Sequence, residues 1–592
     1  MWCKYCNMET NENICSTCGN ETSVEIYHAT FWCKKCNVPF VTIMENNSVK
    51  SGKCPSCGEE SNIRYEDIRP VFPEERILGE MLCNVPIYSW LNSSVWKAKD
   101  RYIVDGISYR TTPGVYEQLD LTTFREKLKK NQQKNNKDAY PIFNNYIAKF
   151  VDLNESWLNQ FTQESVNWVR STRENPKYRD MNFMVSFSGG KDSTAVSDIV
   201  MKAIGSPRIM HLFGDTTLEF PLTYEYIEKY KATHSFTPVR TVVNKDQKFQ
   251  DLVDEIGPPA RLMRWCCSMF KTGPITRKLN QMCKVHEDDE NKSHDRIFTY
   301  YGIRKNESVS RSKYDRIAGT NESIKIRKQV VGSPIFFWKD VDVWLYLLAN
   351  KVIFNDAYRL GYDRVGCWCC PNNNQRSQFL SRIYMPEESQ KWRNTLIKFA
   401  IKVGKPDPEV YVDSGKWKAR QGGNGLAISK QIKIQYSNCT SEEDARVFKL
   451  QRPLNEEFYS LMVPFGFVKK GRVSLNEVVV YHTVSNMQII SIIPFSQNEY
   501  LYSVKIKVLN VKDKEDLFRM IGYQIRKFNS CKKCLKCESI CKYGAISITT
   551  QNGYRIDSKK CRHCLICVNQ KYLPNGCLMG KYLRSKEDKN EN

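Results

Sequence analysis

Cysteine spacing constrains this chain more than any other feature. The sequence has 592 residues, of which 24 are cysteine, and most of these stand in tight runs. Eight form CxxC pairs in the first sixty residues, five lie mid-chain at 266–267 and 367–370, and eight fall between 531 and 577. The amino terminus, MWCKYCNMET, lacks the charged-then-apolar pattern of a secretory signal. The longest apolar stretch, around Met487–Phe495, is strand-sized and far short of the ~18 residues of a membrane span. A cytoplasmic location is therefore expected. Disulfides are rare there, so the cysteines should be metal ligands or reactive thiols. At roughly 100–200 residues per domain the length implies three to five domains, and 41% hydrophobic residues suffice for packed cores.

The first group comprises Cys3, Cys6, Cys15 and Cys18, then Cys33, Cys36, Cys54 and Cys57. A CxxC turn lets two thiolates meet one ion, and a second turn completes the tetrahedron of a closed structural Zn²⁺ site. Glycine after the second cysteine in CSTCGNE and CPSCGEE suits a tight knuckle. Two zinc ribbons are expected. They serve either to fold a region too short to hold its own core or to touch a nucleic acid or partner.

The last group reads Cys531-x-x-Cys534-x-x-Cys537-x-x-x-Cys541, then Cys561-x-x-Cys564-x-x-Cys567 and Cys577. This spacing resembles the bacterial ferredoxin motif. The resemblance implies two 4Fe-4S clusters with crossed ligands: Cys531, Cys534, Cys537 and Cys577 for one, Cys541, Cys561, Cys564 and Cys567 for the other. The sequence departs from the family in having Lys542 where proline usually follows and a long gap before Cys577.

Mid-chain, the β-prone run Phe183–Phe187 leads into Ser188-Gly189-Gly190-Lys191-Asp192-Ser193-Thr194 and a helical pattern. Strand, glycine turn and helix form a phosphate-holding layout. Backbone N–H groups approach the anion, the helix N-terminus adds partial positive charge, and Lys191 adds a full one. The loop is not the Walker pattern. A second strand, Arg208–Phe213, ends in GDTTLEFP, which puts Asp215 and Glu219 near a ligand at the strand ends.

SGGKDS resembles the PP-loop of ATP pyrophosphatases and their sulfonucleotide-reductase relatives. With DTTLEFP, Arg264-Trp-Cys-Cys before Lys271, Gly302-Ile-Arg304 with Glu307-Ser, and Arg364-Val-Gly-Cys367-Trp-Cys-Cys370-Pro, the ordered series resembles the phosphoadenosine phosphosulfate (PAPS) reductase family over about 181–371. The resemblance implies an α/β fold: a parallel-sheet PP-loop domain (adenine nucleotide alpha hydrolase-like), flanked by the zinc ribbons and a ferredoxin-like α+β domain. It implies an adenine nucleotide (ATP, PAPS or adenylylsulfate) held by Ser186, Ser188, Gly189, Gly190, Lys191, Asp192, Ser193, Thr194, Asp215, Arg264, Lys271 and Arg304. In the iron-containing branch, CC and a later CxxC hold a third 4Fe-4S cluster, here Cys266, Cys267, Cys367 and Cys370. Cys369 is the extra thiol, read as a packing residue, an alternative ligand or a redox nucleophile.

Three functions are weighed. The first is reduction of a sulfonucleotide, with electrons passed through the ferredoxin domain, Lys191 and Asp192 at the loop and Cys369 as the spare thiol. The second is ATP-dependent sulfur transfer to DNA or tRNA, forming AMP and pyrophosphate. The intact loop and the lack of an ECGxH-like tail favour it, and Asp192 or Asp215 would help hold Mg²⁺. The third is a non-catalytic zinc-ribbon sensor of redox or nucleotide state. Partners follow suit: a small-molecule nucleotide, an electron-donor protein, a nucleic acid, and no membrane.

The domains expected are 1–62 (paired ribbons), 63–180 (connector), 181–400 (PP-loop domain), 401–525 (accessory α+β region) and 526–592 (ferredoxin-type domain). Residues 125–137 read as a solvated helix or linker. The loop 413–424 reads as a surface turn or a phosphate contact. Trp157, Phe161 and Trp168 read as the core side of a helix. The formal charge of +24 suggests anionic partners, but two zinc sites and three clusters with thiolate ligands would remove about ten charges, leaving roughly +14.

Overall fold

Between residues 182 and 332 short β-prone runs alternate with helical stretches, the pattern of a parallel sheet covered on both faces. In the computed structural model this segment forms a six-stranded sheet. Its order is Val239–Val243, Met210–Asp215, Asn182–Ser186, Ile297–Tyr300, Gln329–Gly332, Ile317–Ala318. The first five strands are parallel and the last is an antiparallel edge. The structure describes residues 2–584 apart from 4–5, 7, 10–13, 20–21, 23–24, 45–49, 113, 285–295, 319–328, 498–499 and 570–572.

Side chains alternate along the strands. Met184, Leu212 and Ile297 pack against Ile275, Leu279 and Cys283 of the helix Gly273–Lys284. Val185 and Phe298 face the opposite layer, built from the helices Glu155–Glu174, Lys191–Ile204 and Asp340–Ala349. Trp157, Phe161 and Trp168 are buried there. The chain builds the sheet outward from Asn182–Ser186 in one direction, then returns to add Ile297–Tyr300 on the other side. The point where the order reverses opens a crevice at the carboxyl ends of the strands, which is where such sheets bind ligands.

The amino-terminal cysteines sit on small antiparallel units. His28–Cys33 pairs with Val38–Ile43, so Cys33 and Cys36 occupy the hairpin turn. Next comes an antiparallel sheet, Ile68–Pro70, Val95–Ala98, Arg101–Val104 and Ile107–Arg110. The basic stretch 125–137 belongs to a helix that runs from Leu121 to Leu153. It is not fully solvated: Phe124, Leu128, Asn135 and Ala139 are buried, and Asn135 Nδ2 donates to the Pro73 carbonyl at 2.8 Å.

Toward the carboxyl terminus, six antiparallel strands between Tyr436 and Val508 precede the helix Lys514–Ser530 and the last cysteines. One apolar core joins this region to the segment before and around Cys266: Trp265, Met269 and Phe270 share it with Phe458, Ile521, Leu535 and Met579. The loop 413–424 is a surface turn in part, with Ser414, Lys416 and Gln421 exposed, but several of its side chains turn inward. Trp417 is buried, Lys418 Nζ donates to the Asn373 carbonyl at 3.2 Å, and Arg420 donates to the Ile256 and Pro258 carbonyls at 2.7 Å. Lys418 and Arg420 are thus consumed by backbone acceptors, while Lys416 stays exposed. Among the described residues no helix is long and apolar enough to cross a membrane.

Candidate functional site

The strand Asn182–Ser186 ends at the crevice, and Ser188–Gly190 turn the chain into the helix that starts at Lys191. Gly189 takes φ +73°, and a Cβ there would lie 3.0 Å from Thr223 Cγ2. Asn355 Nδ2 ties the turn by donating to the Gly189 carbonyl at 3.3 Å and to Thr223 Oγ1 at 3.0 Å. Ser188 N–H donates to Ser193 Oγ at 3.2 Å, and the hydroxyls of Ser193 and Thr194 donate back to the Gly190 carbonyl. Tyr358 Oη accepts from the Lys191 N–H at 3.0 Å. Gly302 abuts the helix start so closely that a Cβ would lie 2.8 Å from the Asp192 backbone.

Four charged groups meet behind this turn. Lys191 Nζ lies 3.1 Å from Asp192 Oδ2 and 3.0 Å from Asp340 Oδ1. Arg304 Nε lies 2.6 Å from Asp192 Oδ1, and its Nη2 3.1 Å from Asp340 Oδ1. Lys191 is 3% exposed and Arg304 5%, so neither charge is tolerable without its carboxylates. Burial alone would push the Asp192 carboxyl up, but Arg304 and Lys191 overcome it and hold the group well below the usual range. Asp67, from the first antiparallel sheet's leading edge, feels the same group. Burial and Asp340 push its carboxyl up to about 6, against Arg304 and Lys191.

Ser186 and Ser188 lie at the strand end beside the turn. Asp215 is held in place by accepting from the Thr217 N–H at 2.7 Å and Tyr224 Oη–H at 2.8 Å. Arg264 and Lys271 stand apart from the ion quartet. Both are exposed; Lys271 acts on Glu219 and Cys367, and Arg264 on Cys370.

The mid-chain cysteines form the neighbouring wall. Glu219 and Cys367 are bridged as antiparallel partners, and Trp368 N–H donates to the Leu218 carbonyl at 3.0 Å. Thr216 Oγ1 lies 3.3 Å from Cys367 Sγ and donates to Glu219 at 2.8 Å. Cys266 closes the loop before a single π-helical turn, Cys267–Thr272. The thiols of Cys266, Cys267, Cys367, Cys369 and Cys370 are near enough to oppose one another's ionisation. None of the described cysteines is disulfide-bonded. A set of neighbouring thiols fits an iron–sulfur cluster or another thiophilic metal. Cys369 is 6% exposed, and burial together with Cys367 and Cys370 pushes its thiol well up.

The outer cysteine groups are also brought together. The Sγ atoms of Cys33, Cys36, Cys54 and Cys57 lie within 4.8 Å of one another, with Cys33–Cys57 at 3.4 Å and Cys36–Cys54 at 3.8 Å. A tetrahedron of ~2.3 Å Zn–S bonds has edges of about 3.8 Å, so this set fits a four-thiolate ion. Cys6, Cys15 and Cys18 make a second group, and the side chain of Cys3 lies outside the described residues. In the last group, Cys577 and Cys537 act on both Cys531 and Cys534, and Cys531 acts on Cys534. Cys561 is near Cys541 and Cys564, while Cys567 is near Cys541, Cys561 and Cys537. Tyr582 is within electrostatic reach of Cys534 and also of Cys266 and Cys267. Cys283, Cys83 and Cys439 take no part: Cys283 packs under the sheet, Cys83 ends the helix Pro73–Leu82, and Cys439 lies near Ser441.

Asp340, Tyr358 and Asp67 were missed by sequence reasoning as parts of the site. The signal for Asp340 was faint: an acid at the start of the helix that follows Pro334-Ile335.

The profile of the phosphoadenosine phosphosulfate reductase domain matches residues 182–373. An uncharacterized protein of Methanocaldococcus jannaschii is 31% identical over 290 residues, 48% of this chain and 56% of that protein. A second from the same organism is 28% identical over 46% of this chain and 60% of its own length. The alignments thus span a little over half of each archaeal relative. The adenosine 5'-phosphosulfate reductase of Oceanobacillus iheyensis is 28% identical over 193 residues, 32% of this chain and 71% of the enzyme. The crystal structure of a phosphoadenylyl-sulfate reductase from Candida auris aligns with 37% of this chain and 97% of its own at 16% identity and a TM-score of 0.26. Over residues 182–373, from the loop strand to the last mid-chain cysteines, the chain thus matches the phosphoadenosine phosphosulfate reductase domain and is similar to that family.

Proposed function

We propose that this protein reduces a sulfonucleotide, adenylylsulfate or PAPS, releasing sulfite and the nucleoside phosphate. The observation that carries the reading is the bridge between Glu219 and Cys367. It joins the cysteine wall to the strand end next to the phosphate-type loop, so a nucleotide seated on Ser188–Thr194 would extend its distal group toward the thiols. The loop N–H groups and the helix start at Lys191 would bind the phosphate. Lys271 and Arg264, exposed beside the cysteines, would meet the sulfuryl oxygens. Two electrons enter the sulfur, its bond to the bridging oxygen breaks, and AMP (or its 3'-phosphate) leaves with sulfite. Iron–sulfur clusters on Cys266, Cys267, Cys367 and Cys370 and on the carboxyl-terminal cysteines would supply those electrons when bound. The burial and raised thiol of Cys369 support packing over nucleophilic attack for that residue.

A second reading is ATP-dependent sulfur transfer to a nucleic acid. It is favoured by the intact loop, in which Lys191 and Asp192 are both present and ion-paired. One experiment separates the two. Anaerobic, iron-loaded full-length protein is given adenylylsulfate or PAPS with a reductant, and separately ATP with tRNA or DNA. The first reading expects sulfite in the former and no pyrophosphate in the latter. Pyrophosphate and AMP without sulfite would establish the second.

A further inference from the structure

A cavity of about 730 Å³ lies away from the nucleotide loop, between the first antiparallel sheet and the chain that brackets the mid-chain cysteines. Its lining includes Lys97 of the strand Val95–Ala98, and Asp363, Gln375 and Arg376 on either side of Cys367–Cys370. Volumes of this size suit small ligands.

The charges behind the cavity do not balance. Lys97 Nζ lies 3.1 Å from Asp363, and Arg69 Nε 2.9 Å from the same carboxylate. Arg69 also pairs with Glu75 at 2.7 Å, and Arg376 Nη2 reaches Glu75 at 2.7 Å and Tyr102 Oη at 2.7 Å. Three cations thus share two carboxylates. The rim adds no net charge: Lys99 and Arg110 are matched by Asp100 and Glu117. Arg376 is only 7% exposed, and its Nη1 is buried with no hydrogen-bond partner among the described residues. A buried guanidinium nitrogen left unbonded costs about 1–3 kcal/mol.

A third donor converges on the same wall. The helix Gln375–Tyr384 begins there, and Asn374 Oδ1 accepts from the Ser377 N–H at 2.7 Å. The first-turn N–H groups of Gln375 and Arg376 have no intrahelical acceptor and carry the positive end of the helix dipole.

We propose that this cavity is a second anion site, which binds a tetrahedral oxyanion, a phosphoryl or sulfuryl group, between Lys97, Arg376 and the start of the helix Gln375–Tyr384. Donors from three directions suit a tetrahedral group better than a planar carboxylate. Because Asp363 and Arg376 flank Cys367 and Cys370, an oxyanion here would fix both ends of the cysteine segment.

Hydrogen exchange on the full-length protein tests this, with inorganic phosphate, inorganic sulfate, AMP, and acetate at matched ionic strength. Phosphate or sulfate should slow exchange saturably in peptides spanning 97–117 and 374–384. That protection should persist in Lys191→Met, which disables the loop. It should need at least tenfold more phosphate in Lys97→Met, and about threefold more in the rim variant Arg110→Gln, which keeps the buried cluster intact should Lys97→Met misfold. A lower half-saturating concentration for AMP than for phosphate assigns the site to a nucleotide's phosphate; the reverse assigns it to the free oxyanion. Equal protection by acetate, protection confined to 188–194, or wild-type half-saturation in both folded variants would overturn the proposal.

Discussion

Lys191 Nζ lies 3.0 Å from Asp340 Oδ1, although the two residues stand on different helices and are far apart in sequence. This contact neutralises the loop's own cation. With Arg304 and Asp192 it makes a buried quartet of zero net charge. A phosphate therefore meets backbone N–H groups and hydroxyls first, and the full charge of Lys191 only if Asp340 yields it. Asp340→Asn should tighten nucleotide binding about tenfold, the scale of one charge-assisted hydrogen bond, while lowering the unfolding temperature through an unpaired buried cation. Lys191→Met should do the reverse to affinity, weakening it tenfold or more. Titration calorimetry with AMP, paired with thermal melts, reads both signs; a weaker Asp340→Asn complex would refute the neutralising role.

Metal content gives the second prediction. Anaerobically prepared protein should hold about twelve iron and two zinc per chain, from three four-iron clusters and two four-thiolate ions. Cys57→Ser should lose one zinc with iron unchanged, because Cys57 is grouped with Cys33, Cys36 and Cys54. Cys367→Ser should lose about four iron with zinc unchanged. Elemental analysis decides it, and a total near four iron would remove the carboxyl-terminal clusters from the account.

These elements differ in how far the sequence discloses them. The alternation of strand and helix patterns between 182 and 332 is local, and so is the glycine turn after Phe187; both are legible because short-range spacing encodes them. Asp340 and Tyr358 are not. Each is unremarkable in its own segment and becomes part of the site only when the sheet brings the start of the helix Asp340–Ala349 and the turn around Tyr358 against the loop. The loop 413–424 misleads for the related reason that composition cannot show where a basic side chain finds its acceptor. Arg420 reads as surface charge, yet it ends on the carbonyls of Ile256 and Pro258.

The Cys369 thiol can be judged by removal. It is buried, and its ionisation is opposed by burial first and then by Cys367 and Cys370. A thiolate nucleophile needs a lowered, not a raised, pKa. Cys369→Ala should therefore retain sulfite release within about fivefold and keep its iron. A loss of a hundredfold or more with iron intact would instead establish Cys369 as the nucleophile.

His211 makes stability depend on pH. It is buried on the strand Met210–Asp215, with Nε2 2.8 Å from Ser197 Oγ of the helix Lys191–Ile204 and Nδ1 2.9 Å from the Ile209 carbonyl. Burial pushes its pKa down from 6.5 to about 4. Between those values the unfolded chain binds a proton that the folded chain refuses, so stability falls as pH drops from ~6.5 toward ~4 and loses nothing further from this group below that. The full loss is on the order of 3 kcal/mol. His211→Gln, which cannot charge, should show a shallower fall in urea midpoint between pH 7 and pH 5 than the native chain; identical slopes would assign the acid sensitivity elsewhere.

The docking of the carboxyl-terminal cysteines rests on Gly273. It has ordinary helical dihedrals, so backbone freedom is not why glycine stands there. The reason is close approach: a Cβ would lie 2.7 Å from Leu535 Cβ and Cδ1 and 2.8 Å from the Ser268 carbonyl oxygen. Leu535 sits between Cys534 and Cys537, so this contact, within the apolar core shared by both regions, lies between the two cysteine groups that Tyr582 also spans. Gly273→Ala must push one group off the other, because Leu535 Cβ is fixed to its backbone and cannot rotate away as the far end of a side chain would. Overpacking of this kind costs about 1–3 kcal/mol. The variant should keep its metals, since no thiol is altered, and should exchange amide hydrogens faster at 266–272 and 534–540. Sulfite release driven by a reduced ferredoxin should slow at least tenfold, whereas release driven by dithionite, small enough to reach the mid-chain cysteines directly, should be unchanged. Equal slowing with both reductants would mean that the contact supports the nucleotide site itself, not the delivery of electrons to it.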